Sequence, residues 1–181
     1  MKVTTSQLKS LIKESVHEIM KEQVKGIDIK GHKNLTIKSN HTFDELPEWF
    51  QKAKTQRAVV RLDANGTLYF ETGLWRQGTW KNGVWEDGKW LNGNWLDGVW
   101  KQGFWENGIW KNGTWHDGIW EYGFWKNGTW KNGTWKNGVW EDGVWEDGMW
   151  YNGIWKSGTW EDGVWDRGEW LDKKNPHPNE R

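Results

Sequence analysis

The fold class predicted by this sequence is mainly β: an elongated tandem-repeat stack preceded by an N-terminal helix and a small α+β cap. Three observations carry that reading. Trp stands at every fifth residue from Trp75 to Trp170, without a missed step. Gly stands two residues before each of them, from Gly73 to Gly168. Of the nineteen positions between Trp75 and Gly168 that directly precede a repeat Gly, fourteen are Asn or Asp.

Each observation has a physical consequence. Large aromatics in strict phase are costly to leave in water, so a disordered low-complexity tract is a poor account of them. Asn-Gly and Asp-Gly are turn chemistry, because Gly takes positive φ freely and Asn or Asp tolerates the residue before it. The residue before Trp is mostly β-branched or apolar, as in Val84, Val99, Ile109, Ile119, Val139 and Ile154. One repeat is therefore a very short strand followed by a turn. A Gly at every fifth position excludes a long helix.

The stack is expected to be either a flattened β-solenoid or a β-hairpin stack. Charges at the position after Trp suggest its rung length, since stacked like charges repel. At a spacing of ten residues seven such pairs are opposite and two alike; at twenty, three are opposite and seven alike. A rung of about ten residues follows, with ten rungs making a rod of ~48 Å. Strand alternation turns Gly and Trp inward. The expected structural core is then Trp75, Trp80, Trp85, Trp90, Trp95, Trp100, Trp105, Trp110, Trp115, Trp120, Trp125, Trp130, Trp135, Trp140, Trp145, Trp150, Trp155, Trp160, Trp165 and Trp170.

The chain divides into four parts. Residues 1–25 carry Leu8, Leu11, Ile12, Val16, Ile19 and Met20 at helical spacing, an amphipathic stripe suited to packing or to oligomerisation. Residues 26–73 read as a small α+β capping module, with strands at Ile27–Ile29 and Leu35–Ile37 and a short helix from Phe43 to Lys54. A hairpin turns at Asn65-Gly66 between Ala58–Leu62 and Thr67–Phe70. Residues 74–172 are the Trp/Gly array. Residues 173–181 form a polar tail, in which charges and two prolines, Pro176 and Pro178, would stop further pairing.

Composition bounds the function. The chain has 181 residues, 21 Trp, 23 Gly, no Cys, and 25 basic against 25 acidic residues. A balanced charge argues against a nucleic-acid partner, which would require a basic excess. No apolar run approaches the ~18 residues of a membrane span, and the N-terminus lacks the apolar stretch of an export signal, so no membrane association is expected.

Little suggests catalysis. His17, His32, His41, His116 and His177 show no metal-ligand spacing, and His116 reads as a solvated substitution. The pairs Glu86-Asp87, Glu141-Asp142 and Glu146-Asp147 lack calcium-loop spacing. Asp44, Glu45 and Glu48 read as solvated charges. No nucleophile elbow, Walker loop or dinucleotide fingerprint occurs, so neither an enzyme nor a cofactor is expected. With Trp assigned to the core, recognition moves outward. The candidate binding patch is Lys126, Lys131 and Lys136 followed by Glu141 and Glu146, polar enough for a protein or glycan partner.

The run at 128–140, Gly-Thr-Trp-Lys-Asn-Gly-Thr-Trp-Lys-Asn-Gly-Val-Trp, resembles the Trp-rich tandem repeats of tailed-phage and environmental sequences. That resemblance covers roughly residues 73–172. It implies a β-hairpin stack or β-solenoid and no catalytic residues. The opening Ser6-Gln7-Leu8-Lys9-Ser10-Leu11-Ile12-Lys13-Glu14 is similar to the start of phage structural proteins. The Trp-x-Asn-Gly rhythm more distantly resembles MORN repeats, whose period is longer. The expected function is a non-enzymatic structural component, such as a phage virion or tail-associated spacer or adhesin. The alternatives are a carbohydrate- or protein-binding module and an intracellular scaffold of MORN-like type.

Overall fold

The computed structural model describes residues 26–180; the helix expected over residues 1–25 lies outside the described residues. The array is a parallel β-solenoid of about seven turns. Each repeat contributes a two-residue strand made of the Trp and the residue before it, from β5 (Thr79–Trp80) to β23 (Glu169–Trp170). Each strand pairs in parallel with the strand three repeats on. Thr79 and Trp80 meet Asn94 and Trp95, and Ile109 and Trp110 meet Phe124 and Trp125.

Three strands therefore complete one turn, and the solenoid has three faces. One runs from Val84–Trp85 through Val99–Trp100 to Thr159–Trp160. The second runs from Leu74–Trp75 to Val164–Trp165. The third runs from Thr79–Trp80 to Glu169–Trp170. The long strand β4 (Leu68–Gln77) joins the first two into one sheet. Its Phe70 pairs with Trp85 and its Trp75 with Trp90. Phe70 thus occupies the five-residue phase one step before the first repeat Trp.

The rung of about ten residues is corrected to fifteen, the distance from Trp80 to Trp95. Charges ten residues apart sit on different faces and never stack, so their alternating signs carried no register information. At the true spacing five charged pairs are opposite and three alike, a weak preference. Exposed pairs of this kind contribute only about 0.2–1 kcal/mol. Indole packing sets the turn instead. Rings fifteen residues apart stack nearly parallel, with centroids 4.7 Å apart and planes 5° apart for Trp105 and Trp120. Consecutive rings meet edge to face, 6.0 Å and 74° for Trp115 and Trp120. Three indoles per layer close a triangle in which each ring has both offset-stacked and edge-to-face neighbours, the arrangements that the aromatic quadrupole favours. Seven layers at ~4.8 Å make the rod ~34 Å long, shorter than the ten-rung estimate.

The corners explain the glycines. At Gly128 φ is +119°. A Cβ there would also lie 2.3 Å from the carbonyl oxygen of Gly113 in the layer beneath. Backbone conformation and close approach both demand Gly. Between layers the ladder is regular: Val99 N–H donates to Gly83 O at 3.0 Å, and Lys101 N–H to Trp85 O at 2.8 Å. Asn82 Oδ1 accepts the Gly83 N–H at 2.7 Å, and Asp117 does the same for Gly118. This is why Asn or Asp recurs before Gly.

Residues 26–77 lie against the first layer. β1 (Ile27–Ile29) pairs antiparallel with β2 (His32–Ile37), and β2 runs parallel to β3 (Lys54–Leu62). β3 then pairs antiparallel along β4, turning at Asp63–Thr67, where Asp63 Oδ1 accepts the N–H groups of Asn65 and Thr67. The helix expected from Phe43 to Lys54 is interrupted by Pro47. A 3-10 turn covers Phe43–Glu45 and a single helical turn, α1, covers Glu48–Gln51. Trp49 sets its ring edge-on to Trp80 at 4.9 Å, and Phe50 lies 6.1 Å from Trp75. Phe70 stacks on Trp85 at 4.0 Å.

Candidate functional site

The interior of the array is filled by indoles. Trp75 to Trp155 are fully buried, Trp160 and Trp165 nearly so, and Trp170 is half-buried at the C-terminal end. Most of these indole N–H groups have no hydrogen-bond partner among the described residues. Trp90 and Trp135 show where an acceptor can lie, donating to Asn107 O at 3.2 Å and Asn152 O at 3.1 Å.

The expected patch of Lys126, Lys131, Lys136, Glu141 and Glu146 does not form one surface. With fifteen residues per turn these side chains fall on three different edges of the rod. Lys126 and Glu141 share one and are paired at 2.7 Å. Lys136 lies on the next and pairs with Glu121 at 2.7 Å. Lys131 and Glu146 follow the remaining face. Glu141 is held below the usual carboxylate range by the Lys126 hydrogen bond, with Lys156 adding to it 3.7 Å away. Three of the five charges, Lys126, Lys136 and Glu141, are engaged in pairs with neighbours one layer away along an edge.

The remaining sequence candidates are also placed. Asp44 pairs with Lys30 at 3.3 Å, Glu48 with Lys52, and Glu45 accepts the Thr42 N–H in a capping box. His116 is exposed on the edge that carries Lys131 and Glu146. Its pKa is lowered chiefly by partial burial, with Lys131 and Lys101 acting in the same direction. Among the described residues no three His, Asp or Glu side chains converge to hold a metal ion. No described helix is long and apolar enough to cross a membrane.

Among the described residues His32 is the one titratable group placed deep among aromatics. It is buried between Phe43 and Phe50, with ring centroids at 5.3 and 4.8 Å. Its Nδ1 lies 2.8 Å from Thr55 Oγ1 and its Nε2 3.4 Å from Gln51 O. Burial lowers its pKa below 6.5, against a smaller upward pull from the backbone of Gln51 and Phe50. Between the folded and unfolded pKa values the unfolded chain binds more protons, so stability rises with pH there. The contribution of neutral His32 is complete above about 6.5 and is lost as pH falls through the lowered value. The urea midpoint should therefore fall between about pH 7 and 5, and His32→Gln should flatten that fall. An equally steep fall in the variant would refute the assignment.

Outside the core, a groove of about 400 Å³ lies at the corner between the second and third faces. It is lined by Gln77, Thr79, Asn92, Asn94 and Ile109, with Gly78, Gly93 and Gly108 along its floor. A column of glycines leaves a trough because no side chain projects from it. This site was missed from sequence because its residues are fifteen apart. The signal available was Asn94, an amide at a position where the repeat usually carries Val, Ile or Thr.

Comparison with protein-family models, with curated proteins and with solved structures gave no match.

Proposed function

We propose that this chain is a non-enzymatic structural rod, a spacer of the kind used in a phage virion or tail. The observation that supports it best is the filled interior: three columns of stacked indoles occupy the solenoid from end to end. Such an array holds together through nearest-neighbour interfaces and presents only its outer faces and two ends. In this reading residues 26–73 and the segment from Leu171 onward are end covers that prevent edge-to-edge pairing. The phage setting rests on the resemblance of the repeat run to tailed-phage sequences. Antibodies against the rod should label assembled particles. Label confined to the soluble fraction would sink a virion role.

A further inference from the structure

We infer that the corner groove at Gln77, Asn92 and Asn94 is a binding site for a neutral oligosaccharide, with Tyr122 and Phe124 as its aromatic extension. This goes beyond the spacer role and does not depend on it.

The repeat departs from its own pattern here at Gln77, Leu91, Asn94 and Leu96, each time presenting an amide or losing a charge. Asn94 replaces the usual β-branched or apolar residue before Trp and is exposed. Gln77 replaces the usual Asn or Asp before Gly and is exposed too. The positions after Trp on either side of Asn94 are Leu91 and Leu96, whereas most such positions carry Lys, Glu, Arg or Asp. The residues that line the groove are thus all uncharged, with Arg76 and Glu106 flanking it on the same edge.

The donors and acceptors are arranged in register. Thr79 and Asn94 are paired positions on adjacent strands, one layer apart. Asn92 Oδ1 accepts the Gly93 N–H at 2.8 Å, which leaves its Nδ2 to face outward partners. Among the described residues the side chains of Gln77, Thr79 and Asn94 make no hydrogen bond. Amide and hydroxyl groups both donate and accept, as sugar hydroxyls do.

An apolar surface continues the groove. Ile109 lines it and pairs directly with Phe124 in the next layer. Phe124 is 43% exposed, and Tyr122, on the same corner as Gln77 and Asn92 two layers beyond Asn92, is 51% exposed. Aromatic rings beside a few oriented polar groups are what the C–H faces and hydroxyls of a pyranose require. An anionic ligand would find no cation among the lining residues, and nucleic acid would find no basic track.

The variants that test this restore the repeat and so should fold: Asn94→Val, Tyr122→Asn and Phe124→Val. Titration calorimetry of the full chain would use neutral oligosaccharides of glucose, galactose, mannose and N-acetylglucosamine. At least one should bind. Asn94→Val should weaken it about tenfold, the loss expected for one hydrogen-bonding group of about 1.4 kcal/mol. Phe104→Val, on the second face, should leave binding unchanged. Circular dichroism melts of each variant would check that the fold is retained. The inference is overturned if no neutral oligosaccharide binds at millimolar concentration, if only charged glycans bind, or if the three restoring variants bind as tightly as the parent.

Discussion

Replacing Trp120 by Ala should lower the stability of the rod by about 3–5 kcal/mol, the range for deleting a large buried aromatic. Trp120 stacks between Trp105 and Trp135, with centroids 4.7 and 4.8 Å away. It meets Trp115 and Trp125 edge to face, each at 6.0 Å. Four ring contacts are lost together, and a triangular layer with one side missing cannot close without moving the others. Trp170→Ala should cost far less. That ring is half-buried and has one stacked partner, Trp155, at 5.1 Å. Because layers contact only their neighbours, the central variant should also broaden the unfolding transition as the array separates into two halves. Urea titrations followed by Trp fluorescence measure both effects. Equal losses at the two positions would contradict the layered description.

Removing residues 171–181 should drive the rod into end-to-end assemblies that the full chain does not form at the same concentration. This segment takes the place of an eighth turn. In the regular ladder the Gly158 carbonyl would accept from a backbone N–H one turn on; here Asn175 Nδ2 donates to it at 3.2 Å. The Trp170 indole N–H donates to Asp172 O and Asn175 O, at 3.0 and 3.1 Å. His177 covers the last rings, 5.1 Å from Trp165 and 5.5 Å from Trp170. Asp172 binds the segment together by accepting from Asn175 Nδ2 and from the N–H groups of Lys174 and Asn175. Partial burial pushes its carboxyl up, but those hydrogen bonds outweigh it and its pKa is lowered. Without the segment, a Trp-lined end and a row of unpaired strand edges face solvent, which is a template for another copy. Light scattering and negative-stain microscopy would show the growth. A truncated chain that stays monodisperse at the same concentration would argue against this role.

The repeat, its inward Trp and its Gly-governed corners were legible because they depend on neighbours in the chain. A five-residue phase decides which side chains alternate inward, and Asn-Gly or Asp-Gly decides where the chain turns. The hairpin at Asn65-Gly66 was readable for the same reason. The candidate patch failed because Lys126, Lys131 and Lys136 are close in sequence but take successive edges of a three-sided turn. The groove at Asn94 went unread for the converse reason, since Gln77, Asn92 and Ile109 become neighbours only once the turn length is known.

The sequence by itself determined the strand, the turn, the buried residue and the stackable repeat. Only the tertiary structure decided that three repeats close a turn. That number is set by how indoles pack across the axis, through edge-to-face contacts between rings five residues apart and parallel stacking between rings fifteen apart. Both are interactions between layers and between faces. The charge alternation along the chain, being exposed and screened, is too weak to specify them.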